Sequence, residues 1–263
     1  NSVANGKVYR RTPFKKMFSA ASAGDSGGSI GAAFVELSNT TTDKSLKLFS
    51  MKHAYYGPSY SNTYISTLLK KYKDSLVNFS IKKIDNPQVL CQTVAKMIAN
   101  DNVIGWFQGR MEWGPRALGN RSILADPRKG NMKDIINSKI KKRESFRPFA
   151  PSILRESVSE WFEEDDDVPF MMQVFLIKED KRKLIPAVTH IDGTGRLQTV
   201  SQDSNPLYHM LISAFNDITN TPILLNTSFN ENEPVVCKPE EALDCFLRTS
   251  MDAVVLGNYI VSR

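Results

Sequence analysis

Between Gly105 and Ser152 the chain runs GWFQGRMEWGPRALGNRSILADPRKGNMKDIINSKIKKRESFRPFAPS, and no other stretch restricts its fold as much. The apolar lead-in, Val103 to Phe107, reads as a buried strand that ends at Gln108-Gly109. Gly109, Gly114, Pro115, Gly119 and Pro127 then forbid long regular structure, so a shaped loop is expected. Cations recur in that loop at Arg110, Arg116, Arg121 and Arg128, followed by Lys139, Lys141, Lys142, Arg143 and Arg147. Arginine presents a planar fork of donors matched to phosphate or carboxylate, and glycine lets backbone N–H groups approach the same anion. A block of lysines would read as a solvated face. Arginines spaced by glycine, proline and apolar residues read instead as an anion site.

The remaining sequence alternates β and α patterns, which gives an α/β class. Asn5-Gly6 is a turn signal beside a short strand expected over Lys7 to Arg10, and the Gly24–Ser29 turn feeds an apolar helix from Ile30 to Leu37. Ser61 is expected to cap a helix over Tyr64 to Tyr72, with a strand at Phe79 to Ile84. Pro87 opens a helix that turns Leu90, Val94, Met97 and Ile98 inward. A further helix is read over Asn131 to Ile140. Arg147, bracketed by Phe146 and Phe149, requires an anionic partner. The acidic run Glu163 to Asp167 reads as a solvated loop. A strand over Met172 to Ile177 precedes a Gly-rich turn carrying His190 and Arg196; a lone histidine of this kind reads as a structural hydrogen-bonder. The helix Pro206 to Thr219 shows a core face of Leu207, Met210, Leu211, Ala214, Phe215 and Ile218. In PILLNTSFN a buried strand stops at Asn226, leaving Thr227, Ser228 and Asn230 at its end, where α/β sheets gather ligands. Pro239 starts the last helix and Ala253 to Leu256 forms a closing strand.

Composition narrows the partners. Lys+Arg number 34 against 28 Asp+Glu, and the net charge of +6 suits an anionic ligand but is too mild to call for nucleic acid. An RNA-binding module would also need an aromatic and basic recognition motif that this sequence lacks. No apolar run has the length of a membrane span and no signal peptide opens the chain. Cys91, Cys237 and Cys245 lack CxxC spacing, so buried thiols in a reducing cytoplasm are expected. The start at Asn1, without methionine, is read as that of a processed or truncated chain.

Six segments, GRMEWGPRALGNRSILADPR, KIKKRESFRPFAPS, PAVTHIDGTGRLQTV, NPLYHMLISAF, PILLNTSFNENEPVVC and AVVLGNYIVSR, stand in the order found in the O-carbamoyltransferase family of nodulation-factor and antibiotic-tailoring enzymes. The chain resembles the carboxy-terminal part of that family along nearly its whole length. The resemblance implies a YrdC-like twisted open sheet with flanking helices over residues 63–263. It also implies that residues 1–62 are the remnant of an ATPase-like domain of actin/Hsp70 type. By the same resemblance, ATP and carbamoyl phosphate would be joined into carbamoyl-adenylate, and the carbamoyl group passed to the hydroxyl of a small-molecule acceptor. Lys141, Arg147, Arg196 and Ser228 are implied as catalytic. Arg116, Asn120, Arg121, Asn226 and Asn230 join them in binding substrate and nucleotide. Asp25 matches an acidic metal ligand, iron in the complete enzyme with magnesium accompanying ATP; the histidine ligands of the family lie outside this sequence, and His53, His190 and His209 form no HxxxH pair. A homodimer through the apolar Ile30 to Leu37 surface is also expected, as is a fragment silent in the full reaction.

Overall fold

The architecture comes from a computed structural model and is described for residues 1–14, 16–43, 50–142 and 148–263. Asn1 accepts hydrogen bonds from the N–H groups of Val3 and Ala4 and so starts α1 (Ser2–Asn5). The strand expected next is instead a second helical turn, α2 (Val8–Arg11): Lys7 to Arg10 pairs with no strand among the described residues, and Arg11 N–H bonds back to Lys7. A 3-10 turn at Asp25–Gly27 leads into α3 (Gly28–Thr40), which buries none of its residues. Ser61 caps α4 (Asn62–Lys71) by accepting from Tyr64 N–H, as its residue type suggests. β1 (Ser80–Lys83) and α5 (Pro87–Ala99) follow, the latter capped by Asn86.

β2 (Ile104–Phe107) ends where the glycine-rich stretch begins, but that stretch is not all loop. Arg121–Ala125 forms a fully buried strand, β3, paired antiparallel with β2. α6 (Met132–Ile136) then runs into a π-turn, Asn137–Lys141, closed by Lys142 in the left-handed region, φ 43°. β4 (Ala150–Leu154), α7 (Val158–Trp161), β5 (Gln173–Leu176), α8 (Glu179–Arg182) and β6 (Thr194–Val200) come next. Arg196 therefore lies within a strand and not in the turn before it. α9 (Pro206–Thr219) has the expected bounds, although Ile218, placed in its core face, is exposed. β7 (Ile223–Ser228) continues two residues past Asn226, because Thr227 and Ser228 still pair with β3. After α10 (Pro239–Arg248) and β8 (Ala253–Leu256), the chain turns once more at Gly257 into β9 (Tyr259–Ser262), so β8 is not the closing strand.

The nine strands of the described residues join one sheet in the order β1-β9-β8-β2-β3-β7-β4-β6-β5, with β2/β8 and β4/β6 parallel and the other pairs antiparallel. The expected α/β open sheet with flanking helices is thus observed. Side chains alternate across it. Ile123, Leu225 and Val254 enter one core with α4, α6 and α10, whereas Leu124, Leu224 and Val255 enter a second with α5 and α9. Both faces are covered, and each such side chain contributes about 1.5–3 kcal/mol by leaving water.

The first residues lie against the far edge of this sheet. Asn5 Nδ2 donates to Met172 O at 2.8 Å, and Gly6 sits so near β5 that an added Cβ would meet Val174 O at 2.1 Å. The acidic run is more than solvated: Arg155 pairs with Asp165 and Asp167, Arg10 with Glu164, and Tyr9 donates to Asp166. All three cysteines are free thiols; Cys91 and Cys245 are buried, and Cys237 is half-buried.

Candidate functional site

The β2–β3 connection is shaped by one carboxylate that the sequence reading passed over. Glu112 is 6% exposed, and its Oε1 accepts from the N–H groups of Leu118 at 2.7 Å, Asn120 at 2.7 Å and Arg121 at 3.2 Å. Burial pushes its carboxyl above the usual range, and those N–H groups pull it part of the way back. Two glycines make the wrap around it feasible. Gly114 has φ 121°, and Gly119, at φ 102°, packs so tightly that a Cβ would fall 2.2 Å from the Tyr208 ring. The wrapped loop carries Arg116 to the sheet.

There Arg116 meets Arg196 of β6 and Asn226, Thr227 and Ser228 of β7 around a cavity of about 120 Å3. Pro115, Ala117, Pro148, Phe149, Ala150 and Met171 complete the wall. Arg116 is half-buried, and its Nε is shielded from water with no hydrogen-bond partner among the described residues. Burial lowers its guanidinium below the usual value, though an arginine stays charged at neutral pH. A desolvated cation beside a small cavity is costly unless an anion enters.

The floor is held rigidly. Asn226 Nδ2 donates to Ala117 O, Ser152 Oγ and Gln198 Oε1, each at 3.1 Å. Ser152 Oγ donates to Gln198 Oε1 at 2.6 Å, and Gln198 Nε2 reaches Leu118 O at 2.8 Å. Behind Ser228, the π-turn delivers Lys141, which is 3% exposed. Its Nζ donates to Ser228 O at 2.6 Å, Asn230 O at 2.7 Å and Asn230 Oδ1 at 2.6 Å, and lies 3.2 Å from Ser228 Oγ. Ser228 Oγ in turn donates to Asn230 Oδ1 at 2.7 Å.

The structure therefore brings together Arg116, Arg196, Asn226 and Ser228, with Lys141 and Asn230 directly behind. Arg147 lies outside the described residues. Two expected ligand-binders sit elsewhere. Arg121 is fully buried, stacked 3.6 Å over the Phe107 ring, and donates to the carbonyls of Pro58, Gln108, Gly109 and Asn120. Burial lowers its pKa to about 10. Asn120 donates to Arg110 O and accepts from Asn205. Both hold the loop in place. Asp25 is exposed, and among the described residues no three His, Cys, Asp or Glu side chains gather in a metal-holding group. The donor set present does not fit a bound iron.

Beside the cavity, His190 closes the turn into β6. Thr194 Oγ1 donates to Asp192 Oδ1 at 2.7 Å, so its single proton is spent and the 3.1 Å contact to His190 Nδ1 has the imidazole as donor. Burial lowers the histidine pKa, with Arg196 and Lys133 adding to the effect and Asp192 opposing it. Sequence reasoning also missed Ser152 and Gln198; a polar residue at every second position of a buried strand, Thr194, Arg196 and Gln198, was the available signal for the second.

Residues 95–263 match the family described as carbamoyltransferase C-terminus. The chain belongs to that family. It is 43% identical over 271 residues to the nodulation protein NolNO of Sinorhizobium fredii, covering 100% of this chain and 38% of the relative. A 3'-hydroxymethylcephem-O-carbamoyltransferase of Amycolatopsis lactamdurans is 43% identical over 135 residues, 51% of this chain and 25% of the relative. This carbamoyltransferase-family chain spans less than half the length of the curated relatives it matches, 46% and 38% for two of them. Among solved structures, Escherichia coli YciO aligns at 16% identity and a TM-score of 0.45, over 66% of this chain and 81% of that one. No described helix is long and apolar enough to cross a membrane.

Proposed function

We propose that this chain carries the site where ATP and carbamoyl phosphate yield carbamoyl-adenylate, in a cytoplasmic enzyme that passes the carbamoyl group to a small-molecule hydroxyl. The observation that carries the reading is the half-buried guanidinium of Arg116, its Nε shielded from water, facing Arg196 and Ser228 across a small cavity. The YrdC-like identity of the sheet belongs to this reading. In chemical terms, water releases carbamate and phosphate from carbamoyl phosphate. A carbamate oxygen then bonds to the α-phosphorus of ATP as the bond to the bridging oxygen breaks and pyrophosphate leaves.

Two polyanions must meet in this step, and fixed cations offset both their repulsion and the charge of the transition state. A cavity of about 120 Å3 suits a group the size of carbamoyl phosphate, which leaves the nucleotide to lie across its open side. Arg116 and Arg196 hold phosphate or carbamoyl oxygens, a role also assigned to Arg147. Lys141 lends its charge to the nucleotide phosphates from behind Ser228, and the Ser228 hydroxyl, which donates to Asn230 Oδ1 in the structure, turns its proton to the ligand on binding. Magnesium arrives with ATP. Transfer to the acceptor needs ligands beyond the exposed Asp25, so that step is assigned to a longer protein.

Calorimetry with ATP at low salt tests the reading: binding is expected, and it should weaken as salt rises. A folded sample that binds no ATP at low salt, or releases no pyrophosphate with carbamoyl phosphate present, would refute it.

A further inference from the structure

The orientation of the Asn226 amide is fixed by chemistry. Ala117 O, 3.1 Å away, is a carbonyl and can only accept, so the atom facing it is the nitrogen. Ser152 Oγ spends its proton on Gln198 Oε1 and meets the same nitrogen as an acceptor, as does Gln198 Oε1. Asn226 Oδ1 is left over. It is shielded from water and has no hydrogen-bond partner among the described residues, in a residue 1% exposed that lines the cavity. A buried acceptor without a donor is rare and costs free energy until a donor arrives.

The rest of the cavity supplies donors. Arg116 and Arg196 can only donate, and the Ser228 hydroxyl is already committed to Asn230. Phosphate oxygens use donors of that kind. They have nothing to offer Asn226 Oδ1. Of the groups in a carbamoyl donor, only the NH2 carries protons, and Asn226 Oδ1 is the buried acceptor of the cavity wall that has no donor among the described residues.

We propose that Asn226 is the specificity-determining residue of this site, its Oδ1 accepting a hydrogen bond from the NH2 of a carbamoyl group and so selecting carbamoyl donors over acyl donors that lack N–H. The inference rests on the reading of the cavity as a carbamoyl phosphate site. Its geometric cause is the three-way grip on Nδ2, which prevents the amide from flipping to present a donor instead. A site built around a substrate N–H rejects the isostere without it, because its own buried polar group then stays unpaired.

Acetyl phosphate provides that isostere, with CH3 in place of NH2. Titration calorimetry of the wild-type chain with carbamoyl phosphate, acetyl phosphate and ATP is the experiment. Carbamoyl phosphate is expected to bind at least about tenfold more tightly than acetyl phosphate, or about 1.4 kcal/mol. In Asn226→Ala the ratio is expected to fall close to one. A purely structural role would weaken both phosphates together and leave the ratio intact. Should Asn226→Ala not fold, Asn226→Ser, which is smaller but still polar, reads the same ratio. Equal affinities in the wild type, no binding of carbamoyl phosphate, or an unchanged ratio in the folded variant each overturn the proposal. Absence of ATP binding with the ratio intact would instead refute the nucleotide-dependent reading and leave the role of Asn226 standing.

Discussion

Replacing Glu112 is expected to be among the most damaging single changes in this chain, although the residue touches no ligand. Its Oε1 satisfies three N–H groups at 2.7, 2.7 and 3.2 Å. Each donor left buried and unpaired costs about 1–3 kcal/mol, so Glu112→Ala is expected to lose about 3–5 kcal/mol once some water enters the gap. For a chain of this size that corresponds to a fall in Tm of roughly 10 °C or more. Glu112→Gln keeps an oxygen at the same place and stands in for the protonated acid, so about 1 kcal/mol is expected. Both variants also differ from the wild type in pH dependence, because neither keeps a carboxyl at this position. Because burial raises the Glu112 carboxyl, the folded chain binds a proton there more tightly than the unfolded chain does between the ordinary carboxylate pKa and the raised one. Stability from this group therefore falls as pH rises above the ordinary carboxylate value, and Glu112→Gln abolishes that slope. Thermal melts of the three proteins between about pH 4 and 8 measure both effects. A Glu112→Ala protein that melts with the wild type would refute the reasoning, as would a Glu112→Gln protein as damaged as Glu112→Ala.

Arg116→Ala is expected to weaken calorimetric binding of carbamoyl phosphate about tenfold or more, while Tm stays within about 2 °C, since its Nε gives up no hydrogen bond. A large drop in Tm with unchanged affinity would make Arg116 structural. His190 has a lowered pKa in the folded chain, so the unfolded chain binds the extra proton as pH falls through 6.5 and below, and stability declines. His190→Gln is expected to flatten the Tm profile between about pH 5 and 7, and an identical profile in the variant would remove the histidine from that role.

Local chemistry explains which elements were legible. Ser61, Asn86 before Pro87, Pro206 and Pro239 mark helix starts by caps and fixed φ angles, and each start lies within a residue or two of its signal. β3 was hidden because the glycines on its approach argued for loop, and one of its two partners, β7, lies about a hundred residues away in the chain. Val8–Arg11 carries a strand-like pattern, yet beside β5 it closes its hydrogen bonds within a helical turn, Arg11 N–H to Lys7 O and Thr12 N–H to Val8 O. In the site, Arg116, Arg196, Asn226 and Ser228 do converge, but spacing alone implied no such meeting. Arg121 and Arg116 look alike in sequence, and the difference is what lies opposite: backbone carbonyls and Phe107 in one case, a cavity in the other. Glu112 went unnoticed because a single acid among cations suggests a surface ion pair, whereas its partners are backbone N–H groups.

A nine-stranded open sheet ends in two strands with hydrogen-bonding groups to spare, and any such strand can recruit another chain. The two ends are handled differently. β1 is fully exposed but carries Lys82 and Lys83, whose charges repel a second copy. β5 is buried and apolar, and α1 lies across it with Asn5 bonded to Met172 O. The first eleven residues thus act as a stopper against edge-to-edge polymerisation. Their removal would first appear as concentration-dependent aggregation, with the anion cavity still folded beneath it.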